Sequence, residues 1–165
     1  MQNDIDMLNN IRKTTEMGQY GINSVINYAS DTELYRVLKQ QQTEYDKICD
    51  AADRMLKARG ISGSHVGAMA KMSTDMSAAM NMMISPTASK IAEMMIKGST
   101  MGITKNIKNI HKSGELSDDI KSLADKLVAT EQDNIEQMKK FLQIISRMIL
   151  CRIRCAIPMI WNIIE

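Results

Sequence analysis

Aromatic side chains are scarce in this 165-residue chain: one Trp, one Phe and four Tyr, 4% of the residues. A core of ordinary size must then be built from aliphatic and thioether side chains, and 16 methionines supply the latter. Proline occurs twice and glycine eight times, too few to punctuate many short strands, so an all-α protein is expected. Three cysteines, Cys49, Cys151 and Cys155, make no disulfide framework. An excess of one charge is also missing. Lys plus Arg number 21 against 19 Asp plus Glu, so the chain lacks the broad positive field of a nucleic-acid-binding protein. The two histidines, His65 and His111, fall at expected helix ends, which leaves no Ser-His-Asp or Cys-His constellation to assemble. Gly98 and Gly102 lie inside a helical segment rather than in a phosphate-binding loop. The first ten residues carry two aspartates and no apolar block, so no signal peptide is expected and a reducing cytoplasm is the expected location.

Amphipathic helices are what the chain does have. Residues 115–142 form the clearest one, with Leu116, Ile120, Leu123, Leu127, Ile135, Met138 and Leu142 recurring at steps of three and four. Two polar residues, Glu131 and Asn134, interrupt the middle of that stripe. Upstream, residues 4–29 carry a stripe of Leu8, Ile11, Thr15, Gly18, Ile22 and Val25, small or polar at its centre, with Asp4 as the expected cap. Residues 32–59 carry Leu34, Val37, Leu38, Gln41, Tyr45, Ile48, Ala52 and Leu56, closed by Gly60. Residues 86–111 carry Ile91, Ala92, Met95, Ser99, Gly102 and Asn106, with Ser85 and Pro86 expected to start the helix. The first and last pairs of helices are joined tightly and should be antiparallel hairpins. Residues 61–83 form a longer link whose Met69, Met72, Met76, Met80 and Met83 repeat at helical spacing. These features predict a four-helix bundle with a long crossover carrying a short Met-rich helix between helices two and three.

The polar interior positions resemble those of small bacterial ferritin-like proteins, including a spore-coat-F-like branch. The resemblance rests on Ala29-Ser30 through Leu34, Gln41, Tyr45, Ile48, Ala52 and Gly60, and on Glu131 within the last stripe, and it covers about residues 4–142. It implies a ferritin-like bundle. Iron-binding members place a Glu on each of two helices and Glu-x-x-His on the other two. Here Asn134 stands in the His place, Lys47 stands in the other His place, and Thr15 and Ser99 face inward instead of Glu16 and Glu93. No cofactor and no competent metal centre are therefore expected. Gln41, Tyr45, Ser99, Glu131 and Asn134 are instead the candidates for a buried polar network. A buried carboxylate without partners costs several kcal/mol, so Glu131 must be paired, hydrated or protonated.

Several stretches leave alternatives open. The methionine ladder reads as core filler, as a soft partner-binding face, or as a thioether site for a soft metal. Lys105, Lys108 and Lys112 read as a solvated basic edge at the negative end of the third helix. Residues 143–165 form a second unit in composition, without Asp, Glu or Lys until the final Glu165, but with Arg147, Arg152, Arg154 and Trp161. That tail reads as a pack-down or oligomer contact, a cationic interfacial segment, a membrane span opposed by its three arginines, or a non-native end. The function expected is a non-catalytic bundle with a structural or protein-interaction role, through self-association or a protein partner. The competing expectations are a metal-binding ferritin-like oxidoreductase or metal store, and a membrane-associated protein held through the tail.

Overall fold

The structure is a computed structural model that describes residues 2–61 and 87–142. The Met-rich helix expected between helices two and three, and the tail 143–165, lie outside the described residues. Those described form an all-α bundle of four long helices with no strand among them. The helices are α1 (Gln2–Val25), α2 (Thr32–Ala58), α3 (Ala88–Lys112) and α4 (Asp118–Leu142).

Their boundaries follow from local chemistry. A 3-10 turn, Ile26–Tyr28, ends α1. Asp31 then starts α2, its carboxylate accepting a bond from the Leu34 N–H at 2.8 Å. At the other end of α2, Gly60 has φ +74°. Its N–H and that of Ile61 return to the carbonyls of Lys57 and Leu56, both at 3.0 Å, which pairs the last free carbonyls of the helix. Thr87 caps α3 by accepting from Lys90 N at 3.2 Å, so the described helix begins after Thr87 rather than at Pro86. Asp4 does not cap its own helix. It sits inside the first turn of α1 and accepts from Ser117 N (3.0 Å) and Ser117 Oγ (2.7 Å), holding the start of α4.

These tethers fix the topology. The starts of α1 and α4 share one end of the bundle. Arg59 at the end of α2 reaches Asp119 at 3.4 Å, and Lys140 at the end of α4 reaches Glu33 at the start of α2 at 2.7 Å. Neighbouring helices therefore alternate in direction around a ring ordered α1, α2, α4, α3. The two hairpins make the most extensive contacts, α1 packs along α3, and α2 along α4. Each helix turns one stripe inward. Met7, Leu8, Ile11, Ile22, Leu34, Leu38, Ile48, Leu56, Ile91, Ile120, Leu127 and Met138 are fully buried. Truncating one of the leucines or isoleucines to Ala typically costs about 2–5 kcal/mol. Among the described residues the core is mainly aliphatic, methionine contributes only Met7, Met95 and Met138 to it, and Tyr45 is its largest fully buried side chain.

Candidate functional site: a buried carboxyl at the foot of an interhelical groove

Halfway along the bundle the apolar core gives way to polar side chains from three helices. Tyr45 on α2 donates its hydroxyl to Glu131 Oε2 on α4 at 2.8 Å, and the two residues are 1% and 2% exposed. Ser99 on α3, also buried, lies beside the same pair. Burial pushes the Glu131 carboxyl up to about 7, and the neighbouring hydroxyls of Ser99 and Tyr45 oppose that shift. Burial, and then the negative charge of Glu131, raise the Tyr45 phenol far above its ordinary range. At neutral pH the tyrosine is thus a fixed donor, and the carboxyl is divided between its two protonation states.

Two glycines make room for this pair. A Cβ on Gly18 of α1 would lie 2.5 Å from Cζ of Tyr45, and one on Gly102 of α3 would lie 2.6 Å from Oε1 of Glu131. All four helices therefore meet at one level, α1 and α3 through the absence of a side chain and α2 and α4 through its presence. The small residues at the centres of the first and third stripes have this close approach as their physical reason.

The other candidates occupy the same level without joining one network. Asn134 is buried beside the Tyr45 hydroxyl, and its Nδ2 has no hydrogen bond of good geometry. Gln41 is buried as well but turns to α4 elsewhere, donating to the Asn134 carbonyl (3.3 Å) and to Gln137 Oε1 (3.1 Å). Its own Oε1 is left without a partner, as are both polar atoms of the Asn106 side chain. Cys49 is buried and free, and burial raises its thiol pKa, so it is not a ready thiolate. Among the described residues no group of three His, Cys, Asp or Glu side chains could hold a metal ion. Likewise, none of the described helices is long and apolar enough to cross a membrane.

The polar centre is not sealed. A groove of about 630 Å³ follows the seam between α1 and α3 and reaches Tyr45 and Glu131 at its floor. Met17, Gly21, Met94, Met95 and Gly98 line one stretch of it, and Thr14, Lys105, Lys108, Asn109 and Lys112 line another. Sequence spacing pointed to the carboxyl but not to the groove. Met101 stands on the groove wall and is 60% exposed.

No protein-family model matches the chain. No curated protein matches it either. Among solved structures, the chain is similar to a DUF305 fragment from Deinococcus radiodurans, with a TM-score of 0.68 and 11% identity, over 86% of this chain and 96% of that one. At that identity the likeness shows the fold alone, an all-α bundle. It overturns the resemblance to ferritin-like and spore-coat-F-like proteins, which none of the comparisons supports. The physical reason is that apolar residues at steps of three and four, thinned by small residues where helices approach, suit antiparallel bundles in general. Gln41, Tyr45 and Glu131 mark depth in such a bundle and do not identify a lineage.

Proposed function

We propose that the protein is a non-catalytic helical bundle that works by holding a partner molecule, with the α1–α3 groove as its binding face. The groove itself carries this reading. Its volume of about 630 Å³ lies in the range of about 300–1,000 Å³ common to small-molecule sites. Its lining follows the same pattern, apolar walls with a few polar groups that can orient a ligand. The chemistry at its floor suits binding better than turnover: a phenol held protonated, a carboxyl without a histidine or a second carboxylate beside it, and no activated nucleophile among the described residues.

Gly98 supplies the test. A Cβ there meets nothing within 4 Å, so Gly98→Leu fills the groove without disturbing the core and favours the helix by up to about 1 kcal/mol. Titration with the neutral apolar dye N-phenyl-1-naphthylamine should show one saturable site in the natural protein. Binding should weaken about tenfold or more in Gly98→Leu, a change of about 1.4 kcal/mol or more, with helicity retained. Absence of saturable binding, or equal binding by the two proteins, would overturn the proposal.

A further inference from the structure

One wall of the groove carries cations that the fold does not neutralise. Lys47, Lys90, Lys139 and Lys140 each lie within ion-pair distance of a carboxylate. Among the described residues none does so for Lys105, Lys108 or Lys112, all of which line the groove. The negative end of α3 accounts for Lys112, which lies in the last turn, but not for Lys105 two turns earlier. Lys105 is half-buried, and burial, followed by the nearby positive charge of Lys13, lowers its pKa. A cation held in this way is stabilised by an incoming anion.

Two neutral groups in the groove point to the same chemistry. Thr14 is 3% exposed and lines the groove, and its Oγ1 has no hydrogen-bond partner. Its neighbour Thr15 donates to the Arg12 carbonyl at 2.8 Å, the usual arrangement for a buried helical threonine. Asn109 Nδ2, one turn from Lys105 and Lys112, is also buried and without a partner. Two buried donors without partners, on Thr14 and Asn109, and the ammonium groups of Lys105, Lys108 and Lys112 thus line one stretch of the groove, a donor set of the kind that suits a carboxylate. Beyond them the groove continues along glycines and methionines. Lys108 and Met94 are 14 residues apart on α3, about 21 Å at 1.5 Å per residue, the reach of a long single chain.

We propose that the groove takes a free long-chain carboxylate, its head group among Thr14, Lys105, Lys108 and Asn109 and its chain along Met17, Gly98 and Met94. This rests on the reading of the groove as a binding face. The test is displacement of bound N-phenyl-1-naphthylamine from the full-length protein by decanoate, by decanol and by phosphatidylglycerol vesicles. Decanoate should compete about tenfold more tightly than decanol, as expected for charge-assisted hydrogen bonds. That ratio should fall towards one in Lys105→Gln/Lys108→Gln, with helicity checked by circular dichroism. Equal competition by decanoate and decanol would overturn the carboxylate assignment and leave the binding face standing. Displacement by vesicles but not by decanoate would overturn it in favour of a membrane surface. A protein that never binds the dye, as when the groove is filled by another stretch of chain or a second copy, would overturn both readings.

Discussion

Glu131 and Tyr45 set the behaviour of this protein at the scale of single residues. The Glu131 carboxyl is raised from an ordinary 4.5 to about 7 by burial. Between those values the folded protein binds more protons than the unfolded chain, so stability falls as pH rises through that window and levels off above it. The full effect is about 3 kcal/mol. Glu131→Gln keeps an acceptor for the Tyr45 hydroxyl and removes the titration. Its unfolding midpoint in urea should therefore change less than that of the natural protein between pH 5 and pH 8, and parallel pH profiles would refute the assignment. The glycines give a second prediction. Gly18→Ala drives a methyl into the Tyr45 ring and should cost about 1–3 kcal/mol, whereas Gly98→Ala meets open space and should gain up to about 1 kcal/mol. Thermal unfolding of the two variants checks the order. Much of this level was legible in the sequence, because a polar residue within an apolar stripe shows there directly. The spacing turns Gln41, Tyr45, Ser99, Glu131 and Asn134 inward, and all five are buried. Which of them meet was not legible. Gln41 turns away to Gln137, a choice made by side-chain torsions that periodicity does not encode.

Between helices, the ends matter most. Asp31 caps α2, and Asp31→Ala should cost about 1 kcal/mol, measured by urea unfolding. Asp4 acts between elements, joining the first turn of α1 to the start of α4 through Ser117. Those two bonds hold its carboxyl below the usual range. Its contribution is therefore present at neutral pH and lost as pH falls through the lowered value, opposite in sign to Glu131. Asp4→Asn should lower the melting temperature at pH 7 but much less at pH 3, and an equal loss at both would contradict the tether. The helices themselves were plain in the stripes, within a few residues at each end. The role of Asp4 was not, since an acid in a first turn looks like a local cap unless its partner, 113 residues away, is known. The start of α3 is ambiguous for a similar reason: Thr87 caps the described helix, and Ser85 and Pro86 lie outside the described residues. Ser85-Pro86 and Thr87 are both credible starts, and local sequence does not rank them.

For the molecule as a whole, four antiparallel neighbours and the α1–α3 groove define what the fold offers. Among the described residues the four long helices and the two hairpins were legible, because tight connections force adjacent helices to lie side by side. Family membership was not, since bundle spacing is shared across unrelated chains. The groove also escaped sequence reading. It arises where Gly18, Gly21, Gly98 and Gly102 thin two facing helices, and Lys105, Lys108 and Lys112 look solvated until their wall is seen. Binding of an apolar molecule in this seam is the role proposed for the fold. It is tested most directly by methyl NMR of the methionines during titration with N-phenyl-1-naphthylamine. Saturable shifts should appear at Met17, Met94, Met95 and Met101 on the groove, with little change at Met7 and Met138 in the closed core. Shifts led by Met7 or Met138, or none at the four groove methionines, would contradict it.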